Sequence, residues 1–304
     1  MIWKGVMPAI TTCFNRDLTI DHGFVSRHVQ WLVDNGCTGI VTPGSLGEAA
    51  TLTRDEKTAL WETCTKAAGD RAPIVAAISS LSTAEAAELA RMASDRGCRG
   101  LMVLPPYVYK GDWREMKAHI AGIMRATHLP CMLYNNPVAY GTDFLPEQIH
   151  ELASECENFQ SVKESSTDIR RVTAIRTLAG DRLAIFVGVD DAIAEGIAMG
   201  AAGWIAGLVN ALPRESTALF DLATKGESDK AFELYRWFLP LLRMDTAPKF
   251  VQLIKLVQQE VGMGNTRVRP PRLELEGAEI DQARATIRAA LAGRPAIYRS
   301  SRAS

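Results

Sequence analysis

Residues 131–163 read CMLYNNPVAYGTDFLPEQIHELASECENFQSVK. The stretch opens on one apolar run, 131–134, and closes on another, 160–163, with a turn-rich loop and an amphipathic segment between them. Two buried strands joined through a helix form the parallel β-α-β unit, because parallel neighbours need a crossover of a dozen or more residues. The two runs end on Tyr134 and Lys163, so a phenol and an amine stand at the C-terminal ends of successive strands.

Outward from this unit the same rhythm repeats. Further apolar runs lie at 5–11, 39–42, 74–77, 100–104, 185–187 and 203–205, again with amphipathic stretches between them. Thr53 precedes the acidic turn Arg54-Asp55-Glu56, and Ser82 with Glu85 has the spacing of a capping box. Gly36 and Gly97 sit where a helix ends before the next strand. Eight strands alternating with helices predict an α/β fold, the (β/α)8 TIM barrel. An open doubly wound sheet shows the same alternation, but no Gly-x-Gly-x-x-Gly follows the first strand. The expected organisation is a barrel over residues 1–224, a C-terminal helical extension over 225–292, and a flexible tail over 293–304.

Composition narrows the function. The 304 residues carry 34 Lys+Arg against 35 Asp+Glu, 47% hydrophobic and 23% charged, the balance of an ordinary globular protein. A net charge of −1 gives no electrostatic footprint for nucleic acid or an anionic membrane, so neither is expected as a partner. The uncharged segment 196–212 approaches membrane-spanning length, but Gly200, Gly203, Gly207 and Asn210 interrupt it and Pro213 follows, which fits a helix end, a strand and a loop. The N-terminus has no signal-peptide pattern, and the six cysteines are scattered without a Cys-x-x-Cys pair. A cytoplasmic protein with reduced, mostly buried thiols is expected.

In a barrel, catalytic groups stand at the C-terminal ends of the strands and in the loops after them. Lys163 closes such a strand. Desolvation there lowers an amine's pKa, and a neutral amine can attack a carbonyl or cyclic imine to form a Schiff base; a lysine at a strand end can also snorkel to water. Tyr134 can carry a proton beside it or pack as an aromatic plug. The loop Gly44-Ser45-Leu46-Gly47-Glu48 offers backbone amides and the Ser45 hydroxyl to a carboxylate, with Gly44, Gly47 and Glu48 shaping the loop. It lacks the Lys-Ser/Thr ending of a nucleotide-binding loop. Asp190-Asp191 has no histidine nearby and fits an N-cap better than a metal site; no metal is expected.

Taken in order, Gly44-Ser-Leu-Gly-Glu-Ala-Ala-Thr-Leu52, Pro106-Tyr107, Tyr134-Asn-Asn-Pro137 and Val162-Lys-Glu-Ser165 resemble the dihydrodipicolinate synthase / N-acetylneuraminate lyase family. The resemblance covers residues 5–273 at least. It implies a barrel with a helical extension, assembled as a homotetramer of paired dimers, with Lys163 as the Schiff-base lysine and Tyr134 as the proton shuttle. It implies that Ser45 and the Leu46 amide hold the carboxylate of a small 2-oxo acid or imine, and that Tyr107 reaches a neighbouring subunit's site. No organic cofactor is implied, since the protonated imine on Lys163 is itself the electron sink.

Two positions depart from the lysine-pathway synthases of that family. Leu46 stands where they carry a second threonine of a proton relay, and Ala139 where they carry a carboxylate-binding arginine. The glycine loop, residues 134–141, and the segments 255–262 and 269–273 look instead like the deaminases of hydroxyproline catabolism. These convert 1-pyrroline-4-hydroxy-2-carboxylate to 2-oxoglutarate semialdehyde and ammonia. The alternatives are 4-hydroxy-tetrahydrodipicolinate synthase, an aldolase or dehydratase of a sugar-derived 2-oxo acid, and a ligand-binding barrel without turnover.

Overall fold

Eight short parallel strands form the centre of the molecule: β1 (Gly5–Pro8), β2 (Ile40–Thr42), β3 (Ile74–Ile78), β4 (Gly100–Val103), β5 (Cys131–Asn135), β6 (Phe159–Glu164), β7 (Ala184–Val187) and β8 (Gly203–Ala206). The structure is a computed structural model that describes residues 1–298. The strand order is β1-β8-β7-β6-β5-β4-β3-β2, every pairing parallel, and a bridge between Ala9 and Val41 brings β1 back against β2. The chain is therefore a (β/α)8 barrel. The apolar runs at 5–11 and 100–104 are cut short; past Pro8 and Val103 the chain turns into the loops of the barrel mouth.

Period-two alternation sorts the strand side chains into two cores. Met7, Val41, Val75, Met102, Met132, Tyr134 and Phe186 fill the barrel interior, and Val6, Ile40, Ile74, Leu101, Leu133 and Val162 pack outward against the helices. Lys163 follows Val162, so it points inward, and register sets it beside Tyr134. The helices begin where the caps indicate. Thr53 and Glu56 make a reciprocal capping box on Arg54–Ala68, and the Ser82 hydroxyl accepts from the Glu85 amide at the start of Thr83–Asp95.

The eighth barrel helix, Pro213–Thr224, leads into Ser228–Leu242, Phe250–Glu260 and Gly277–Ala292. Unbroken helix was expected across this region. Instead a non-helical strap runs between Glu260 and Gly277, where Gly262, Gly264 and the pair Pro270-Pro271 interrupt the pattern. A short 3-10 turn, Arg243–Thr246, also breaks the run. Both irregular pieces lie against the barrel mouth. Of the expected flexible tail, residues 293–298 turn back, with Ala296–Tyr298 in a 3-10 turn and Tyr298 against the core. Residues 299–304 lie outside the described residues. All six cysteines are buried and unpaired. Among the described residues no helix is long and apolar enough to cross a membrane.

Candidate active site

The barrel mouth opens into a cavity of about 530 Å3, lined by Gly44, Ser45, Leu46, Tyr134, Asn136, Ala139, Tyr140, Lys163, Ser165, Asp245 and Arg272 among others. A larger groove, about 720 Å3, surrounds Gly5, Thr38, Pro73 and Arg99 at the opposite end. That end carries the strand starts, where barrels keep stability rather than chemistry.

Lys163 is 6% exposed, and its Nζ lies 4.0 Å from the centroid of the Tyr134 ring. Burial lowers its pKa to about 8, with Asp245 and Asp190 opposing the shift. The neutral fraction of this amine near neutral pH is therefore far larger than that of an exposed lysine, although the ammonium still predominates. Gly188 is required for this placement: a Cβ there would lie 2.6 Å from Lys163 Cε and would collide with Ser165 Oγ. Ser165 is 3% exposed, and its hydroxyl is buried at the cavity wall, close enough to the Tyr134 phenol to act on it.

Tyr134 is pushed up to about 12, chiefly by burial, so its phenol carries a proton at neutral pH. Its Oη accepts from Asn136 Nδ2 at 2.9 Å. Asn136 also caps the one-turn helix Pro137–Tyr140 by accepting from the Ala139 amide. That turn delivers Tyr140 edge-on to Tyr134, with ring centroids 5.9 Å apart, and places its hydroxyl on Ser45 Oγ. Sequence reasoning passed over Tyr140 because a tyrosine in a loop carries no local signal. Tyr107 does not line the cavity; it packs behind Tyr140 with centroids 5.9 Å apart.

In the glycine loop, Gly44, Ser45 and Leu46 face the cavity. The amides of Ser45 and Leu46 donate to no acceptor among the described residues, which leaves them open to an anion. The Gly47 carbonyl accepts from Thr12 Oγ1 at 2.7 Å. Glu48 turns away from the cavity. It is 1% exposed with φ 58°, pairs with Lys255 and accepts from the Arg269 amide at 2.9 Å. Lys255 is equally buried, donates to the Arg267 carbonyl and sits 4.5 Å from the Phe14 ring centroid. The C-terminal extension thus clamps the glycine loop from behind.

Asp190 does not cap the helix that follows it. Its carboxylate accepts from Trp204 Nε1 at 3.0 Å, the Leu208 amide at 2.8 Å and the Gly207 amide at 3.2 Å, tying β7 to the turn after β8. Burial raises its pKa to about 6 against those three donors. No cluster of three or more metal-ligating side chains occurs among the described residues. The extension adds two charged groups that sequence reasoning did not single out, Asp245 and Arg272. With Lys163 they are the charged side chains lining the cavity among the described residues.

The sequence matches the profile of the Dihydrodipicolinate synthetase family over residues 2–290. Relatives include the 4-hydroxy-tetrahydrodipicolinate synthase of Moorella thermoacetica, 33% identical over 91% of this chain and 94% of that protein. That of Mesorhizobium japonicum is 32% identical over 92% and 97%. Among solved structures, a dihydrodipicolinate synthase of Bacillus anthracis superposes with a TM-score of 0.91 at 27% identity, covering 97% of this chain and 99% of that one. The chloride-inhibited dihydrodipicolinate synthase of Acinetobacter baumannii, complexed with pyruvate, gives 0.90 at 27% over 94% and 98%.

Proposed function

Because the chain belongs to the dihydrodipicolinate synthetase family, we propose that it is a Schiff-base lyase that dehydrates and deaminates 1-pyrroline-4-hydroxy-2-carboxylate. The observation that carries the Schiff-base reading is the buried Lys163 amine, its pKa lowered to about 8, inside the mouth against the protonated Tyr134. The free amides of Ser45 and Leu46 supply the carboxylate site. No cofactor is required, since the protonated imine draws electrons from C3.

The substrate reading rests on what lines the cavity around that amine. Leu46 and Ala139 present apolar surface where a hydroxyl relay and a second carboxylate's cation would serve a condensation. A small ring with one carboxylate needs neither. Lys163 adds to C2 of the imine and the ring opens, leaving a free amine on C5. Loss of a C3 proton then expels the 4-hydroxyl as water, with Tyr134 as the proton donor. Movement of the double bond to C5 and hydrolysis at C5 and C2 release ammonia and 2-oxoglutarate semialdehyde.

A second reading is 4-hydroxy-tetrahydrodipicolinate synthase, the name borne by the relatives at 32–33% identity. The test is a comparison of ammonia release from 1-pyrroline-4-hydroxy-2-carboxylate with condensation of pyruvate and aspartate semialdehyde. Faster turnover of the ring imine supports the deaminase; turnover mainly of the second pair overturns it in favour of the synthase.

A further inference from the structure

Asp245 comes from the 3-10 turn Arg243–Thr246 of the C-terminal extension, yet it lines the same cavity as Lys163. Its carboxyl occupies the space a side chain on Gly207 would fill: a Cβ on Gly207 would stand 2.6 Å from Asp245 Cγ, so the absence of a side chain there admits the acid to the pocket. Among the described residues its oxygens have no hydrogen-bond donor and no ion-pair partner. The other acids near the mouth are engaged. Asp190 is held by three N–H donors, and Glu164 accepts from the Ser166 amide and Asn135 Nδ2. Asp190 and Lys163 both act electrostatically on Asp245, and burial beside Asp190 raises its pKa well above that of a free carboxyl. Two neighbouring carboxylates are costly to ionise together, so burial and Asp190 both favour the protonated form of Asp245, while Lys163 opposes them.

An acid without a donor, facing a cavity beside a nucleophilic amine, is set to serve a group on the ligand. We propose that Asp245 is the catalytic acid for the substrate's ring nitrogen, protonating it as the ring opens and then facing the liberated amine. This rests on the deaminase reading above. As neutral Nζ of Lys163 bonds to C2, the C2=N1 π pair moves onto N1, which takes the Asp245 proton. The carboxylate so formed carries one proton from Nζ to N1. The C2–N1 bond then breaks with its pair on N1, while the Nζ lone pair closes the C2=Nζ bond. The products are a protonated Schiff base, a primary amine and an Asp245 carboxylate, with charge and protons balanced. Pyruvate has no nitrogen, so its Schiff base on Lys163 does not call on this step.

The experiment measures two quantities for the unsubstituted protein, Asp245→Asn and Asp245→Glu. One is ammonia release from 1-pyrroline-4-hydroxy-2-carboxylate; the other is borohydride trapping of pyruvate on Lys163. Asparagine is expected to lower kcat for ammonia release by on the order of 100-fold, the lower range for a positioned acid, while trapping stays within about threefold. Glutamate is expected to recover part of the loss. Ammonia release from Asp245→Asn at the unsubstituted rate overturns the role of Asp245 alone. Equal losses in both assays overturn it too, showing a group that shapes the lysine. If the unsubstituted protein traps pyruvate but releases no ammonia, the deaminase reading fails, and this inference with it.

Discussion

Lys163 and Tyr134 reach the cavity by strand register, each closing an inward-facing row of its own strand. Asp245 and Arg272 reach it from the far end of the chain, on a 3-10 turn and an irregular strap folded over the mouth. The first pair is held by a ladder of backbone hydrogen bonds; the strap that carries Arg272 is anchored by the Arg269–Glu56 ion pair, and the turn that carries Asp245 by Arg243–Asp191. The lesson is a division of labour. On the proposed reading the barrel supplies the nucleophile and proton shuttle of the Schiff-base chemistry, and the extension supplies the remaining charges that line the cavity.

The largest effect should come from the barrel side. Lys163→Ala is expected to abolish turnover of every substrate while circular dichroism and gel filtration stay unchanged; residual turnover would remove the lysine from the chemistry. Gly188→Ala comes next, because its Cβ would press on Lys163 Cε. A displacement of about 1 Å at a reacting group costs roughly 100-fold in kcat. A pH profile sharpens the same side. Only the neutral amine attacks, so kcat/KM should fall about tenfold per pH unit below the Lys163 value of about 8. A profile flat from pH 8 to 6.5 would contradict an amine nucleophile.

The extension side is tested by stability and by binding. Glu48→Gln leaves the Lys255 ammonium buried without its counter-ion. Breaking such a pair typically costs about 3–5 kcal/mol, to be read from the urea denaturation midpoint. A loss below about 1 kcal/mol would mean that the extension does not clamp the glycine loop. Arg272→Leu should have the smallest effect, about a tenfold rise in KM with kcat nearly unchanged, as for loss of a charged hydrogen bond made equally in ground and transition states. An unchanged KM would leave Arg272 outside the substrate's reach.

The same division explains what the sequence made legible. Strand positions announce themselves, since alternation and apolar runs are local, and Lys163 at the close of residues 160–163 could be assigned a direction before any coordinates. The Ser45–Leu46 loop was legible because glycines mark a strand-to-helix turn. Tyr140, Asp245 and Arg272 were not, because nothing in their neighbours says that a turn or strap will fold them over the mouth. Local capping preference misplaces Asp190, because its partners, Trp204 and the amides of Gly207 and Leu208, come from the next strand and turn. The strap is hidden when helical periodicity is extended across Gly262, Gly264 and Pro270-Pro271.

The central claim, a covalent Schiff base on Lys163, is tested most directly by incubating the protein with pyruvate, reducing with borohydride and mapping the adduct by peptide mass spectrometry. The account requires the mass of reduced pyruvyl on the peptide carrying Lys163, absent when borohydride is omitted and absent from Lys163→Ala. An unmodified Lys163 under these conditions, or an adduct on another lysine, would contradict it.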